Sequence, residues 1–177
     1  MKKHTVAIMG LGVRGKTHLK GILENPDRYE VVGLCDIREE VMKAVSDKFH
    51  LNVPLFTNVE KMLAETRPEV FVFVTYPNLR LSMIELAIKY GIKAISFEKP
   101  MAEDMPEAKK MTDLCINHGI KAIVCHQQKY LSQMQELKKK VDKFEKVKDS
   151  INESLISAQE NAEEIKKRTN KEAQEII

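Results

Sequence analysis

Two patterns of apolar and polar positions alternate along the first 126 residues. Short apolar runs, which suit buried strands, alternate with longer segments whose apolar residues have the spacing of one helix face. The runs predict strands at HTVAIMG (4–10), EVVGLCD (30–36), VPLFT (53–57), EVFVFVT (69–75), KAISFE (93–98) and KAIVCH (121–126). The longer segments predict helices at residues 13–25, 38–49, 58–65, 79–91 and 105–119.

Residues at the element boundaries support this division. Asn58 is a suitable N-cap for the third helix, and Gly91 and Gly119 can close the last two helices in the left-handed conformation. Pro54 confines its strand to a sheet edge, because proline has no N–H to donate. Strands and helices that alternate with short connections predict an α/β fold, a doubly wound parallel sheet with helices on both faces. Functional residues in such a sheet lie at the carboxyl ends of its strands.

A different pattern begins at Gln133. Apolar residues fall into two heptad series, interrupted by the polar residues Lys148, Thr169 and Glu172 and flanked by Lys and Glu. This pattern predicts a coiled-coil helix from about residue 131 to 177, about 70 Å long at 1.5 Å per residue. The two series are Met134, Val141, Leu155, Ala162 and Ile176, and Leu137, Phe144, Ile151, Ala158 and Ile165.

A lone helix cannot bury such a stripe, so we expect self-association through residues 134–177. The number of helices in the coil and their relative orientation stay open. The chain therefore divides into an α/β domain, residues 1–130, and an oligomerisation helix, residues 131–177.

Composition and charge narrow the class of protein. Apolar residues make up 43% of the chain, and the net charge of +3 comes from mixed signs. Basic residues at 138–148 and 166–168 are interleaved with acids, which favours a solvated coiled-coil flank over a nucleic-acid or membrane partner. The three cysteines lack metal-ligand spacing and predict reduced thiols in a cytoplasmic protein with no metal site. No apolar stretch is long enough to span a membrane, so we expect no direct membrane insertion.

A glycine motif carries the first chemical hypothesis. Gly10, Gly12 and Gly15 have the spacing G-x-G-x-x-G between a predicted strand and a predicted helix, and Asp36 ends the next strand. In a Rossmann domain Gly10 permits the tight turn, Gly12 admits the pyrophosphate and Gly15 lets helix pack on strand. Asp36 would accept hydrogen bonds from the adenosine ribose. The competing interpretation is a plain turn, with Asp36 capping a helix.

The same loop bears on the choice of cofactor. Asp36 favours NAD, because a carboxylate repels the 2′-phosphate of NADP. Arg38 can offset that repulsion, so NADP stays open. Val13 and Arg14 belong to the candidate loop; Arg14 either sits near the phosphates or is a solvated arginine at the helix start.

A second candidate segment is FEKP, which ends the strand at residues 93–98. Lys99 would project into the cleft that holds the nicotinamide, where its ammonium could hold a substrate hydroxyl or help to move a proton. Pro100 would fix the turn that aims it. Taken alone, E-K-P is also a common surface tripeptide.

In context, residues 4 to about 130 resemble the N-terminal domain of the Gfo/Idh/MocA oxidoreductases. The resemblance rests on GLGVRG, CDIREE, VTYPN, FEKPMAE and CHQQKY in that order. It implies a dinucleotide fold, NAD or NADP, and oxidation of a sugar, polyol or related hydroxyl. By position it implies cofactor contacts at Gly10, Gly12, Gly15 and Asp36, a cofactor-bordering loop at Thr75, Pro77 and Asn78, and a lysine motif at Glu98 and Lys99, with Lys99 in the catalytic role.

The chain departs from that family in two places. Arg80 stands where the family often has a histidine. The family continues into a second α/β domain that supplies much of the substrate pocket, for which this sequence has no room.

Residues 142–177 instead resemble the coiled-coil part of DivIVA, a bacterial division-site and cell-pole scaffold, through their Phe-led start, SINESLISAQENAEEIKK and KEAQEII. The two resemblances suggest a fusion, natural or engineered, or a truncated oxidoreductase. We expect an NAD(P)-binding domain, oligomerised by its tail, that is weakly active or inactive alone on a sugar or polyol. The alternative is an assembly module that carries the α/β domain as a passenger.

Overall fold

A computed structural model describes residues 2–127 and 132–175, without the side chains of 132–134, 169 and 171–175. It divides the chain into two compact units, residues 1–126 and 127–177.

The first unit alternates strands and helices, as the sequence predicts. Its strands are β1 His4–Met9, β2 Tyr29–Cys35, β3 Leu55–Phe56, β4 Val70–Phe73, β5 Ala94–Glu98 and β6 Lys121–Cys125. Its helices are α1 Val13–Leu23, α2 Glu39–Phe49, α3 Val59–Thr66, α4 Arg80–Lys89 and α5 Met105–Asn117, with a 3₁₀ turn at Pro77–Leu79 before α4.

All strands pair in parallel, in the order β3-β2-β1-β4-β5-β6. Chain order therefore reverses between β1 and β4, and a crevice opens at the carboxyl ends of these two strands. This confirms the predicted doubly wound parallel sheet. Pro54 precedes the edge strand β3 and uses only its carbonyl, which accepts the Leu34 N–H at 3.1 Å.

The core occupies both faces of the sheet, because successive side chains of a strand point to opposite sides. On β1, Val6 and Ile8 join the cluster under α1 and α2, while Ala7 joins the cluster under α3, α4 and α5. In the cluster under α3, α4 and α5, three phenylalanine rings from the adjacent strands β4 and β5 lie side by side. The Phe73 ring lies 5.1 Å from that of Phe71 and 5.0 Å from that of Phe97.

Three helix ends have the capping residues that the sequence predicts. The Asn58 side chain accepts the Lys61 N–H at 2.9 Å and so caps α3, as predicted. Gly91 and Gly119, with φ of 66° and 65°, follow α4 and α5 in the left-handed conformation. His50 and Arg67 adopt the same conformation after α2 and α3 without being glycine, so residue type alone does not reveal those two ends.

The second unit contains one helix, α6, Ser132–Glu175. The predicted long helix is therefore confirmed, although its expected start at 131 and its last two residues lie outside the described ones. The apolar heptad side chains are about half exposed or more, with exposed fractions from 47% at Val141 to 71% at Phe144. Among the residues described, none of the helices combines the length and the apolar character that crossing a bilayer requires.

Candidate functional site

A cavity of about 580 Å³ opens at the carboxyl ends of β1, β2 and β4, where the strand order reverses. We call it the switch-point cavity. Several predicted residues border it together, because parallel strands bring their carboxyl ends to one edge of the sheet. Its lining comprises Met9, Gly10, Gly12, Asp36, Ile37, Arg38, Val74, Thr75, Tyr76 and Leu79.

Two glycines of the loop are required by sterics. Gly10 has a φ of 85°, and a Cβ there would lie 2.4 Å from the Val74 carbonyl oxygen. A Cβ on Gly15 would lie 1.8 Å from the Gly10 carbonyl oxygen. Any side chain at either position would collide with backbone, so these glycines allow β1, β4 and α1 to meet closely.

Gly12 is different. A Cβ built on it would meet no atom within 4 Å, yet the residue lines the cavity and is the N-cap of α1. The fold itself therefore does not demand glycine at this position. What Gly12 provides is open backbone at a helix N-terminus, where the free N–H groups favour an anion such as a pyrophosphate.

Asp36 joins the glycine loop to the end of β2. It is only 7% exposed; Oδ2 accepts the Leu11 N–H at 2.8 Å and Oδ1 accepts the Arg38 N–H at 3.1 Å. The second bond comes from the N-cap residue of α2 rather than from its first turn, and no side chain caps this helix, so Asp36 does not act as the helix cap. The carboxylate also lines the cavity, where its negative charge faces any ligand.

Three further loop residues were candidates. Arg38 lines the cavity, and its Nε lies 3.5 Å from Asp36 Oδ1 while just over half of its side chain is exposed. Val13 and Arg14 are exposed in the first turn of α1 and lie outside the cavity lining.

The turn after β4 forms the opposite wall. Thr75, Tyr76 and Leu79 line the cavity, while Pro77 and Asn78 form the 3₁₀ turn between them. Thr75 Oγ1 is buried and has no hydrogen-bond partner among the described residues. A buried hydroxyl without a partner requires an explanation, and a ligand with polar atoms in this cavity provides one. The residues present therefore fit a dinucleotide.

The Glu98–Lys99 segment lies at the same carboxyl edge but outside the cavity lining. Glu98 ends β5 and is 7% exposed. Its Oε1 lies 2.8 Å from Nε2 of His18 on α1. Lys99 is exposed, and the Lys99–Pro100 peptide bond is cis. The structure thus ties Glu98 to the helix that follows the glycine loop and leaves Lys99 facing solvent.

Two residues beside this edge were missed as functional candidates. His18 binds Glu98, and Arg80, only 2% exposed, donates from Nη2 to the Thr75 carbonyl at 3.1 Å. Its guanidinium lies 5.8 Å from the centre of the Phe97 ring. Helical spacing held a signal for Arg80, because the buried residues Met83, Ile84 and Ala87 follow it at three, four and seven positions.

Burial also shifts the pKa of two cysteine thiols. Burial, together with the Asp36 charge, raises the pKa of the Cys35 thiol to about 11, so it stays protonated at neutral pH. Burial also raises the pKa of Cys115. In the residues described, no cluster of three or more His, Cys, Asp or Glu side chains is arranged to hold a metal ion.

Comparisons with known families agree with both resemblances. The model of the Gfo/Idh/MocA oxidoreductase family, described as having an NAD-binding Rossmann fold, matches residues 4–126. The model of the DivIVA protein matches residues 115–177. That second match begins earlier than residue 142. It overlaps the first at residues 115–126, which contain the end of α5 and all of β6.

Individual relatives match mainly the first unit. A 4-hydroxy-tetrahydrodipicolinate reductase of Bacillus pumilus is 25% identical over 118 residues, 64% of this chain and 44% of the relative. An uncharacterized oxidoreductase of Schizosaccharomyces pombe, C115.03, is 26% identical over 109 residues, 61% of this chain and 29% of the relative.

Solved structures give the same picture. The WlbA dehydrogenase of Bordetella pertussis, in complex with NADH and UDP-GlcNAcA, has a TM-score of 0.71 and 25% identity, covering 81% of this chain and 42% of its own. The myo-inositol 2-dehydrogenase of Lactobacillus plantarum has a TM-score of 0.72 and covers 80% and 42%; at 20% identity it shows the fold alone.

The chain spans less than half the length of these relatives. The family match nevertheless covers more than two thirds of this chain. The observed strand order is that of a dinucleotide-binding sheet. The chain therefore belongs to the Gfo/Idh/MocA oxidoreductase family and has its NAD-binding Rossmann fold over residues 4–126.

Proposed function

We propose that this chain binds NAD in the switch-point cavity and acts as an NAD(P)-dependent oxidoreductase domain on a CH–OH group. The observation that carries the proposal is the placement of Gly12 and Asp36 in one cavity at the reversal of strand order. Gly12 offers open backbone for the pyrophosphate, and Asp36 offers carboxylate oxygens for the adenosine ribose.

The opposite wall of the cavity would take the nicotinamide half. Thr75 Oγ1 supplies a buried hydroxyl that needs a partner, and Pro77 and Asn78 hold the turn beside it. Bound NAD supplies the hydride acceptor. Lys99 holds or moves the proton of the substrate hydroxyl, and Glu98 fixes the strand end from which Lys99 projects.

A small sugar or polyol is the substrate class that we propose. Support comes from the WlbA dehydrogenase, whose structure holds NADH and a UDP-sugar acid at 25% identity to this chain. The curated relatives include 4-hydroxy-tetrahydrodipicolinate reductases, so a reductase of that class is the enzymatic alternative. Asp36 favours NAD over NADP, and Arg38 beside it leaves some capacity for the 2′-phosphate.

Turnover by residues 1–177 alone is proposed to be low. Lys99 is exposed to solvent and lies outside the cavity lining. Water that reaches the reacting groups weakens the electrostatic interactions on which proton and hydride transfer depend. The proposed assay is NADH formation with inositols and sugars, and we expect rates well below about 1 per second, the lower end for typical enzymes.

Self-association through residues 134–177 is the second part of the proposal. Leu137, Val141, Phe144, Ile151 and Leu155 are each about half exposed or more on α6, and burying such a side chain contributes about 1.5–3 kcal/mol. The DivIVA match supports the alternative function, a scaffold that carries the Rossmann domain as a passenger. A cytoplasmic location is proposed from the three free thiols.

Two glycines of similar environment test the binding proposal. A Cβ at Gly12 or at Gly21 meets nothing within 4 Å, so both positions have room for a side chain, and thermal unfolding checks that Gly12→Val and Gly21→Ala fold. Only Gly12 lines the cavity. Calorimetric titration should show NAD binding by the wild type and by Gly21→Ala, with binding lost or at least about tenfold weaker in Gly12→Val. Equal affinity in the two variants, with intact folding, would refute this site.

A further inference from the structure

Three side chains from three different elements lie near one another at the carboxyl edge of the sheet. We call them the Glu98 cluster: His18 of α1, Arg80 of α4 and Glu98 of β5. Glu98 and Arg80 are among the few buried charged residues in the part of the chain that the structure describes, with exposed fractions of 7% and 2%. Buried charges are costly unless paired, so their grouping calls for a reason.

Each member reaches a segment that borders the proposed cofactor site. His18 lies one turn after Gly15 on α1, and its Nε2 is 2.8 Å from Glu98 Oε1. Arg80 donates to the carbonyl of Thr75, which lines the cavity. Glu98 immediately precedes Lys99. The cluster therefore connects the helix after the glycine loop, the turn after β4 and the turn after β5.

Arg80 also lies within electrostatic range of Glu98. Burial lowers the pKa of the Arg80 guanidinium, and the neighbouring Glu98 charge opposes that shift. Arg80 Nε and Nη1 have no hydrogen-bond partner among the described residues, so attraction to Glu98, the bond to Thr75 and contact with the Phe97 ring hold this cation in place. Such a buried group is sensitive to loss of either charge.

We propose that His18 and Arg80 are positioning residues for the nicotinamide half of the dinucleotide. His18 orients the Glu98 carboxylate from one side, and Arg80 couples it to the Thr75 carbonyl from the other. The turns carrying Thr75 and Lys99 thereby keep a fixed distance from α1, whose N-terminus takes the pyrophosphate. This inference rests on the proposed function, because it presumes that a dinucleotide lies across these turns.

A general stabilising role would predict a different result. If the Glu98 cluster only stabilised the sheet, its loss would weaken every ligand of the cavity to the same extent. ADP-ribose separates the two cases, since it retains the adenosine, the pyrophosphate and the terminal ribose but lacks the nicotinamide. A positioning role predicts weaker binding of NADH with nearly unchanged binding of ADP-ribose.

The test is calorimetric titration of the full chain with NADH and with ADP-ribose. His18→Phe removes the ring N–H, and His18→Gln keeps a donor. We expect His18→Phe to weaken NADH binding by about tenfold and ADP-ribose binding by no more than about twofold, and His18→Gln to restore most of the NADH affinity. Arg80→Met tests the other side of the cluster, with the same expected selectivity. His118→Phe, at an exposed residue after α5, is the matched control and should leave both affinities unchanged.

Equal losses for both ligands, no loss for either, or no rescue by His18→Gln would overturn the inference while leaving the dinucleotide site standing. Failure of the wild type to bind either ligand would overturn the proposed function and this inference with it. Thermal unfolding of each variant identifies any that do not fold. If His18→Phe does not fold, Arg80→Met decides the test, and the reverse.

Discussion

At the scale of single residues, the Asp36 carboxylate combines backbone contacts with a position on the cavity wall. Its carboxylate accepts the Leu11 N–H and the Arg38 N–H, and it also lines the cavity. The two N–H groups satisfy the buried carboxylate, and the proposed contact with the adenosine ribose would use the oxygens that face the cavity. Substitutions can separate the two roles if the replacement retains an acceptor oxygen.

Asp36→Asn should change the cofactor preference without unfolding the loop. The amide oxygen can still accept the buried Leu11 N–H, and only the part-buried Arg38 N–H loses its acceptor. Asp36→Ala instead leaves both donors without this partner, at a cost of about 1–3 kcal/mol for the buried one. Loss of the negative charge removes repulsion of the 2′-phosphate, and Arg38 then attracts it. We expect the ratio of the Kd for NADP to the Kd for NAD to fall by about tenfold or more in calorimetry.

Glu39→Gln is the control, because it removes one exposed negative charge from the first turn of α2. Its ratio of the two Kd values should stay within about twofold of the wild type. If Asp36→Asn left the ratio unchanged, the adenosine ribose would not lie at this carboxylate.

The glycine loop and Asp36 could be predicted from the sequence, because their spacing along the chain identifies them. Gly10 and Gly15 sit against backbone atoms that no side chain could clear, and such a requirement leaves a fixed pattern of residue types. The Glu98 cluster left no such pattern. Its members lie far apart in the chain, and only the parallel sheet brings them together.

At the scale of elements, strand periodicity and helix spacing predicted the whole α/β succession. The predicted ends differ from the observed ones by a few residues, as at β4, which ends at Phe73 rather than at Thr75. The left-handed ends of α2 and α3 were not predictable, because His50 and Arg67 occupy positions where glycine is the usual signal. The backbone bonds at these two ends are local, from the His50 N–H to the Asp47 carbonyl and from the Arg67 N–H to the Leu63 carbonyl.

Helix α6 exposes a stripe of apolar side chains. Ile151 and Leu155 lie at the two core positions of the heptad and are 55% and 56% exposed. The double variant Ile151→Asp, Leu155→Asp should dissociate the assembly, because two carboxylates would otherwise be buried in its seam. Light scattering after size exclusion should show an oligomer for the wild type and a monomer for this variant, with NAD binding unchanged.

Ser150→Asp with Ser157→Asp is the matched control. It adds the same two charges to α6 at exposed positions outside both heptad series, so the oligomer should persist. A monomeric wild type at tens of micromolar would contradict self-association through this helix.

At the scale of the whole molecule, the Rossmann match lies within the first unit, and the DivIVA match covers the second unit together with the end of the first. The Rossmann match ends at residue 126, where the first compact unit also ends. The DivIVA match reaches back to residue 115, into residues that the sheet uses for β6. Heptad analysis could not detect this overlap, because a strand within a sheet carries no seven-residue repeat.

The central claim is that the dinucleotide binds in the switch-point cavity and on no other surface of the chain. Hydrogen–deuterium exchange of the full chain with and without saturating NAD tests this most directly. We expect slower exchange of backbone amides at residues 9–15, 34–38 and 74–79, the segments that border the cavity, and unchanged exchange in α6. Protection confined to other segments, or no change on addition of NAD, would contradict the dinucleotide site.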